Sequence, residues 1–438
     1  EEGVVEGRRI PICDNIKVVN LQPGGGKTFL AMKTMVDEKI RTAMIMRGGY
    51  IDRWIPDLEA TIDFESGEIQ SINGFRNMNI LMEYALEDDF EPAKAYLFTM
   101  RTMNDYIQHF EANGVSDHYP IAPHDFFKKL GVGSVIFDEA HQMLHQVCRM
   151  VSNFHLKKAT FLSATLDSSD PFIDKMLKLM YPVELREDGG SYKAYIHVNS
   201  VYYRLRNERR LQYRGYKGSY SHNGLENSYL MKKNTAYLYD YFRVISDRLK
   251  TNFLDVYKKG MKSIVFFGTV KMCELYVSKL KKALPKYNVV KYTADDKITV
   301  MDDADIIVST VLSAGTAVDI PNLVYALMTT AINSQQSNEQ AKGRLRVIRD
   351  FPGMVPVFDY LVCESIPKHV EYDNNKIEFF RGKVKEHSKF QSHITVGESE
   401  ELLRNKKREM NYNTTKERTK RKERSPRKPR NRRMRNYN

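Results

Sequence analysis

The sequence predicts an α/β protein with two parallel-sheet domains in tandem. Short apolar runs alternate with helix-length segments from residue 16 to residue 165, and a second series of the same kind begins near residue 262. Buried strands that alternate with helices in this way form mostly parallel sheets with crossover helices. The 438 residues leave room for two or three domains of ordinary size.

Each strand is predicted from a short apolar run that is bounded by turn or helix residues. In the first series the runs are IKVVNL, TAMIMR, AYLFTM, VGSVIF and ATFLSAT, which begin at residues 16, 42, 95, 132 and 159. In the second series they are KSIVFFGT, NVVKYT, DADIIVST, LVYALMTT and VPVFDYLV, which begin at residues 262, 288, 303, 323 and 355.

Changes in composition divide the chain into five regions. We expect residues 1–185 to form the first domain and residues 261–380 the second. Between them, residues 186–260 are polar and tyrosine-rich, and we interpret them as a connecting or inserted segment. Residues 381–403 are predicted to form a helical extension, and residues 404–438 a disordered basic tail.

The basic tail carries all of the formal charge excess. It holds 16 Lys or Arg against 3 Asp or Glu, a net charge of +13, and the net charge of the whole chain is also +13. A run with so few aliphatic residues repels itself and cannot pack a core. The tail is therefore either a polyanion-binding arm, whose cations displace counterions from phosphates, or only a solvated appendage.

Composition excludes several classes of protein. No run approaches the roughly 18 apolar residues of a membrane span, so we expect no membrane partner. The four cysteines, Cys13, Cys148, Cys273 and Cys363, form no CxxC pair. This spacing excludes a disulfide scaffold and a standard zinc cluster, and it favours a reducing, cytoplasmic location.

The strongest local motif is a glycine-rich loop between the first predicted strand and a helix. It runs Gln22-Pro23-Gly24-Gly25-Gly26-Lys27-Thr28. Glycines let backbone N–H groups turn towards a phosphate, and the helix N-terminus adds its dipole. Lys27 is predicted to reach the β- and γ-phosphates, and the Thr28 hydroxyl to bind Mg²⁺. The strict motif has Gly where this chain has Leu21, and the alternative is a glycine-rich turn that binds nothing.

A second motif supplies the acidic partner that such a loop needs. The apolar run that ends at Phe137 is followed by Asp138-Glu139-Ala140-His141. Asp138 is predicted to lie on the Mg²⁺ side and Glu139 to polarise the attacking water. Without the loop, the same two carboxylates would be typical of a solvated strand end.

Together the two motifs resemble the superfamily 2 helicases of the DEAH-box type. The resemblance covers roughly residues 16–365 and is nearest to the helicases that bacteriophages and DNA viruses encode. It implies two RecA-like domains that hydrolyse ATP with Mg²⁺. It also implies a nucleic-acid helicase or translocase that acts in phage or viral DNA replication, recombination or transcription, in the cytoplasm of the host cell.

Later motifs match the family in order and imply roles for individual residues. The motif that couples the ATP state to domain movement is represented by His141, Ser163, Ala164 and Thr165. The motif beside nucleic acid and the nucleotide cleft is represented by Ser309 and Thr310, towards nucleic acid, and by Gly315 and Asp319, towards nucleotide. The last motif is represented by Gln340, Arg344 and Arg346.

The last motif departs from the family pattern at one position. The usual form is Gln-x-x-Gly-Arg-x-x-Arg, whereas here Arg346 follows Gly343-Arg344 one residue early. The resemblance implies that Arg344 is a finger on the γ-phosphate. It leaves Arg346 as the second finger, with Arg349 as a competitor.

Two further features indicate nucleic-acid contacts. Arg47, Thr99 and Arg101 follow predicted strands of the first domain, where these enzymes grip the nucleic-acid backbone, and the alternative is a surface turn. Residues 192–241 hold 11 of the 26 tyrosines and nine Lys or Arg. This mixture is typical of a single-strand groove, and the alternative is a set of tyrosines that pack on the domain.

We therefore expect nucleic acid as the partner, DNA rather than RNA, with a single strand in the groove between the domains. The core is expected to be monomeric, with other replication proteins as further partners. One alternative is an ATPase that anneals or remodels nucleic acid without processive unwinding, and another is a viral RNA helicase. A small-molecule P-loop enzyme or kinase, and a structural protein with a relict nucleotide site, are the remaining alternatives.

Overall fold

The computed structural model describes residues 2–5, 8–11, 15–22, 25–164, 166–168, 170–188, 194–293, 296–314 and 320–400. Most of these residues build two seven-stranded sheets, and two short strands near the N-terminus form an antiparallel hairpin. The hairpin strands are β1 (Glu2–Val5) and β2 (Arg8–Pro11).

The first domain is built on a sheet whose strands lie in the order β5-β6-β4-β7-β8-β3-β9. The strands are β3 (Asn15–Asn20), β4 (Thr42–Met46), β5 (Ile69–Ile72), β6 (Ala95–Thr99), β7 (Ser134–Phe137), β8 (Lys158–Ser163) and β9 (Arg186–Asp188). Its helices are α1 (Lys27–Glu38), α2 (Gly48–Thr61), α3 (Phe75–Tyr84), α4 (Met100–Asn113), α5 (Pro123–Lys129), α6 (Leu144–Asn153) and α7 (Pro171–Met180).

The second domain is built on a sheet whose strands lie in the order β12-β13-β11-β14-β15-β10-β16. The strands are β10 (His197–Leu205), β11 (Lys262–Phe267), β12 (Val289–Tyr292), β13 (Ile306–Thr310), β14 (Leu323–Met328), β15 (Val357–Cys363) and β16 (Glu386–Val396). Its helices are α8 (His222–Tyr229), α9 (Thr235–Leu249), α10 (Val270–Ala283), α11 (Val311–Ala314), α12 (Gln335–Lys342) and α13 (Pro367–Phe380).

Both sheets are covered by a hydrophobic core on each face. In the first domain, Val18 packs into the core on one face of β3 and its neighbour Val19 into the core on the other. In the second domain, Ile264 of β11 likewise packs into the core on one face of the sheet and Val265 into the core on the other. Strands that are buried on both faces read as continuous apolar runs, which is why the sequence predicted them. The predicted fold class, two parallel-sheet domains in tandem, is confirmed.

Residues 186–260 were expected to form a separate connecting or inserted segment, and the structure differs from this expectation. The beginning of this region forms β9, which pairs with β3 in the first sheet. The region then contributes β10, which lies between β15 and β16 in the second sheet, and two helices. Most of the region is therefore an integral part of the second domain. The strand β10 has a serine, Ser200, among its buried positions, and this interruption of the apolar pattern hid the strand.

The helical extension expected at residues 381–403 is wrong. Residues 386–396 form β16, an edge strand parallel to β10. Only its last five residues alternate between buried and more exposed side chains, with Ser392, Ile394 and Val396 buried. The expected basic tail, residues 404–438, lies outside the described residues. Within the described part of the chain, no helix combines the length and the apolar character that a membrane span requires.

The arrangement of strands positions the candidate site. Every described pairing within the two large sheets is parallel. All strands of one sheet therefore end at the same edge, the carboxyl edge, where ligands of open α/β sheets bind. The sequence motifs of the first domain follow β3, β4, β6, β7 and β8, so they all lie at that edge.

Candidate active site

The glycine-rich loop leaves the carboxyl end of β3 and enters α1 through a tight turn. The Leu21 amide donates to the Ser163 carbonyl at 3.1 Å, which holds the start of the loop against β8. The Gly25 amide donates to the Gln22 carbonyl at 2.8 Å, and a Cβ on Gly25 would lie 2.9 Å from that same oxygen. Gly26 has φ +85° at the N-cap of α1, where no side chain caps the helix. The N-terminus of α1 thus has no side-chain cap, and a helix N-terminus of this kind suits an anion.

Lys27 is the first residue of α1. Its ammonium donates to the Leu21 carbonyl at 3.2 Å, across the loop. Burial lowers the pKa of Lys27, and the carboxylates of Glu139 and Asp138 oppose this effect. Thr28 is the next residue of α1 and is partly buried. The predicted phosphate-binding lysine therefore lies in the same electrostatic environment as the predicted acidic pair.

Asp138 lies directly after β7 and is held in place by three hydrogen bonds. Its amide donates to the Ile45 carbonyl of β4 at 3.0 Å, which continues the sheet by one residue. Its carboxylate accepts from the Trp54 indole Nε1 at 2.9 Å and from the Glu139 amide at 2.9 Å. Burial, and then the charge of Glu139, raise the pKa of Asp138 to about 6. A buried carboxylate with a raised pKa indicates a site where added positive charge is favourable.

Glu139 adopts an unusual backbone conformation, with φ +48°. Left-handed backbone is unfavourable for a side chain of this kind and is concentrated at functional sites. The carboxylates of Asp138 and Glu139 and the hydroxyl of Thr28 are the hard oxygen ligands that Mg²⁺ prefers, usually together with substrate phosphates. Within the described ranges, no group of three or more His, Cys, Asp or Glu could hold a metal by itself. The residues fit an ion that is shared between the protein and a phosphorylated substrate.

His141 connects the acidic motif to the end of β8. Its Nδ1 lies 2.7 Å from the Ser163 hydroxyl and 3.5 Å from a Glu139 carboxylate oxygen. Burial, and then the charges of Lys27 and Arg47, lower the pKa of His141 to about 3, so the imidazole is neutral. The predicted coupling residues His141 and Ser163 are thus in direct contact.

Two arginines of the second domain act on the site of the first domain. Arg344, which is 7% exposed, follows α12, and Arg346 donates to the Gly343 carbonyl. The charges of Arg346 and Arg344 both lower the pKa of Lys27, and that of Arg344 also acts on Tyr50 of α2. Such effects require proximity, so both guanidinium groups of the second domain lie near Lys27 of the first.

The other residues of the last motif and the competitor Arg349 differ in how deeply they are buried. Gln340, on α12, is partly buried. Arg349 is exposed, whereas Arg346 is partly buried. Of the two candidates for the second finger, Arg346 is the one whose charge lowers the pKa of Lys27.

The first-domain candidates for nucleic-acid contact occupy the starts of two helices. Arg47 is exposed at the N-cap of α2. Thr99 is buried at the N-cap of α4, where its hydroxyl accepts from the Thr102 amide at 3.1 Å. Arg101 is exposed and lies 3.7 Å from Asp105. Arg47 and Arg101 are thus accessible at the carboxyl edge, whereas the side chain of Thr99 caps a helix.

The second-domain candidates lie at the end of β13. Ser309 is fully buried and donates to the Tyr292 carbonyl at 2.6 Å. The Thr310 hydroxyl accepts from the Ser313 amide at 3.2 Å, so it caps the short helix α11. Contact between these residues and nucleic acid stays a prediction.

Some of the predicted site residues lie outside the described residues. These are Pro23, Gly24, Thr165, Gly315 and Asp319. Ala164 is described and is partly buried just beyond the end of β8.

Sequence reasoning missed two aromatic residues of α2. The indole of Trp54 donates to Asp138, and burial, followed by the charges of Glu139 and Asp138, raises the pKa of Tyr50 to about 12. Both residues lie one helix beyond the motifs, and no spacing in the sequence connects them to the acidic pair. The one available signal was that Trp54 is the single tryptophan of the chain.

Comparison with known proteins identifies the fold. No family model and no curated protein matches the sequence. The chain is similar to S. cerevisiae Dbp5 bound to RNA and ADP BeF3, with 14% identity and a TM-score of 0.51 over 90% of this chain and 88% of that chain. It is also similar to Mss116p bound to ssRNA and AMP-PNP, with 14% identity and a TM-score of 0.52 over 87% of this chain and 72% of that chain.

A third similar structure is a fragment described as an HsdR subunit of a type I restriction enzyme from Vibrio vulnificus YJ016. It has 14% identity and a TM-score of 0.51, over 86% of this chain and 64% of that chain. At this level of identity the likeness concerns the fold alone. The two parallel-sheet domains of this chain are tandem RecA-like domains.

Proposed function

We propose that the chain is a superfamily 2 helicase or translocase, an ATP hydrolase that is stimulated by nucleic acid. One observation carries the proposal: Lys27, Asp138 and Glu139 of the first domain share their electrostatic environment with Arg344 and Arg346 of the second. A phosphate loop alone is common to many nucleotide enzymes. A site that is completed by guanidinium groups of a second RecA-like domain is the arrangement that converts hydrolysis into domain movement.

The proposed chemistry follows from the positions of the residues. The N-terminal amides of α1 and the ammonium of Lys27 bind the β- and γ-phosphates of ATP. Thr28 and Asp138 would hold Mg²⁺, which supplies positive charge to the phosphate oxygens when bound. Glu139 orients the attacking water and accepts its proton. Arg344 and Arg346 stabilise the negative charge that develops on the γ-phosphate.

Movement follows from the division of these residues between the domains. The arginines gain a partner when the γ-phosphate is present and lose it after hydrolysis. ATP therefore stabilises the closed arrangement of the domains more than ADP does, which is the differential contact that a conformational change requires. Ser163 and His141 are proposed to pass this change from Glu139 to the end of β8.

Finer features of the proposal rest on the sequence. Asp138 to His141 support the DEAH-box type, and the resemblance supports a role in phage or viral DNA metabolism in the host cytoplasm. The structural neighbours Dbp5 and Mss116p were bound to RNA and ssRNA, so RNA is the alternative substrate to DNA. We propose DNA as the substrate, held as a single strand at the carboxyl edges of the two sheets.

The test is ATP hydrolysis measured in parallel with single-stranded DNA, duplex DNA and single-stranded RNA. We expect stimulation by single-stranded DNA above that by the other two, and hydrolysis by Glu139→Gln that is lower by about 10²-fold or more under every condition. A strand-displacement assay with the same substrates then separates unwinding from annealing or remodelling. Hydrolysis that no polynucleotide changes would contradict the proposal and would favour a small-molecule P-loop enzyme.

A further inference from the structure

Residues 206–234, which we name the bridging segment, connect β10 to α9 across the carboxyl edge of the second sheet. The Gly268 amide, just after β11, donates to Glu226 of the segment at 2.8 Å. The Ala331 amide, beyond the end of β14, donates to Nδ1 of His222 at 3.3 Å. The segment is therefore attached to the ends of two strands besides the one that it continues.

The attachment is rigid and buried. Glu226 is fully buried, and its Oε1 lies 3.2 Å from His222 Nε2. A Cβ on Gly268 would lie 2.9 Å from both His222 and Asn223, so only glycine permits this approach. The Tyr220 hydroxyl lies 2.7 Å from His222 Nδ1 and 2.7 Å from Nε2 of His369, which fixes the segment to α13 as well.

A tight turn projects from this base. Arg214 and Tyr220 form an isolated antiparallel bridge, and inside it the Gly215 amide donates to the Ser219 carbonyl at 2.6 Å. Tyr216 lies at the tip of the turn and is 84% exposed. Because the closed turn already fixes the backbone of this exposed tyrosine, its ring loses little conformational entropy when it binds a planar ligand.

The exposure of Tyr216 is unusual among the tyrosines of this region. Most of the described tyrosines in residues 192–241 pack on the domain, as the simpler interpretation of this region expected, and four of them are almost fully buried. These four are Tyr203, Tyr229, Tyr237 and Tyr241. Tyr239 is the nearest comparison, at 47% exposed, and the ammonium of Lys279 lies 5.3 Å from the centre of its ring.

The bridging segment that carries the turn is rich in cationic side chains. The bridging segment contains seven Lys or Arg against two Glu, and one of the two, Glu226, is buried. Five described basic side chains of the segment are exposed: Arg206, Arg209, Arg214, Lys232 and Lys233. An exposed aromatic ring among basic groups matches an unpaired base and its backbone phosphates.

The location agrees with this chemistry. In the register of the second sheet, Phe267 of β11 lies beside Thr310 of β13. The bridging segment is attached at Gly268, one residue further, so it adjoins the residue that is proposed to contact nucleic acid. Building on the proposed function, we infer that Tyr216 stacks on an unpaired base of a single strand. Arg209, Arg214, Lys232 and Lys233 contact the phosphates that flank this base.

The first test compares the full-length protein with Tyr216→Ala, Tyr216→Phe and the matched control Tyr239→Ala. Affinities are measured for labelled oligothymidylate, oligouridylate and a duplex of equal length. We expect Tyr216→Ala to weaken single-strand binding about tenfold, as is typical for loss of one stacked base, and to leave duplex binding within about twofold. Tyr216→Phe keeps the ring and should bind like the wild type, as should Tyr239→Ala. The oligothymidylate and oligouridylate arms show whether the strand is DNA or RNA.

The second test detects stacking directly. A single strand with one 2-aminopurine should lose fluorescence when it binds the wild type, and this quenching should disappear in Tyr216→Ala. If the wild type binds single strands and Tyr216→Ala binds and quenches equally well, the inference is wrong and the proposed function stands. If the wild type binds no nucleic acid and polynucleotides do not stimulate its ATP hydrolysis, both are wrong.

Discussion

The Ser163 hydroxyl lies 2.7 Å from Nδ1 of His141, and the same nitrogen lies 3.5 Å from the carboxylate of Glu139. These three side chains come from the ends of two adjacent strands, β7 and β8. Because His141 is buried and neutral, we propose that a change at Glu139 reaches Ser163 without a change of charge on the imidazole. The contact gives a physical path from Glu139, the residue proposed to activate water, to the chain that follows β8.

Ser163→Ala should uncouple hydrolysis from nucleic acid. Loss of the hydroxyl leaves a buried imidazole nitrogen without its closest partner, at a cost of roughly 1–3 kcal/mol, and breaks the path. We expect ATP hydrolysis without nucleic acid to stay within about twofold of the wild type, and its stimulation by single strands to fall about fivefold or more. Ser152→Ala, an exposed serine on α6, is the control. Full stimulation of Ser163→Ala would show that the contact is only structural.

Glu139→Gln should remove ATP turnover, by about 10²-fold or more, because the water then loses its base. ATP binding should survive, since Lys27, Thr28 and Asp138 remain, whereas Lys27→Ala should lose turnover as well. Phosphate release and nucleotide binding are measured on the same preparations. Glu59→Gln, an exposed carboxylate on α2, should behave like the wild type. Near-normal turnover of Glu139→Gln would reject the assigned role.

The positions of the proposed arginine fingers, Arg344 and Arg346, and of their competitor Arg349 predict how much each contributes to turnover. Arg344→Ala and Arg346→Ala should each lower turnover about 10²-fold or more while nucleotide affinity changes by only a few fold, because the fingers act on charge that develops in the transition state. Arg349 is exposed, so Arg349→Ala is the matched control and should stay within about twofold. A larger defect in Arg349→Ala than in Arg346→Ala would reassign the second finger.

Removal of residues 404–438 should affect binding and spare catalysis. The tail carries a net charge of +13 and none of the site residues. ATP hydrolysis without nucleic acid should therefore be unchanged, whereas affinity for nucleic acid should fall and depend less on salt. Each lost phosphate contact lowers the slope of log affinity against log salt by about 0.7 to 0.9. An unchanged slope would identify the tail as a solvated appendage.

Lys376 of α13 should make stability depend on pH. Its ammonium lies 4.4 Å from the centre of the Tyr360 ring, and burial lowers its pKa to about 8, against 10.5 in the unfolded chain. Between these two values the unfolded state binds more protons, so the free energy of unfolding rises with pH, and this stability is lost as the pH falls through about 8.

The comparison with Lys376→Met isolates this effect, because other titrating groups cancel. From pH 7.5 to 9.5, the wild type should gain about 1 to 2 kcal/mol relative to the variant in urea unfolding followed by far-UV circular dichroism. Lys368→Met, at an exposed position on the same helix, should show no such trend. Parallel pH profiles of the wild type and Lys376→Met would contradict the prediction.

The parts of the fold that the sequence predicted are those in which local pattern and tertiary burial agree. Strands such as β4 and β13 are continuous apolar runs because helices cover both faces of each sheet. β10 and β16 were missed because their buried positions include Ser200 and Ser392. The buried hydroxyl of Ser200 forms hydrogen bonds with Tyr360, Asp373 and His387. These partners lie far away in sequence, so no local sequence pattern predicts that Ser200 is buried.

The same reasoning applies to the site. The loop around Lys27 and the pair Asp138-Glu139 could be predicted because each is contiguous in sequence and lies at the end of a strand. The contact of Trp54 with Asp138 joins residues 84 positions apart, and the proximity of Arg346 to Lys27 depends on how the two domains meet. Such relationships are properties of the assembled fold, and only the structure reveals them.

The bond between Trp54 and Asp138 also gives the protein a built-in optical probe. Trp54 is the only tryptophan among 438 residues, and its indole nitrogen donates to the carboxylate that is proposed to face the metal and the phosphates. All indole emission therefore arises next to the carboxylate of Asp138. A change in the charge or partners of Asp138 alters the field around the excited ring, so nucleotide binding, turnover and release are expected to be visible in real time without any label.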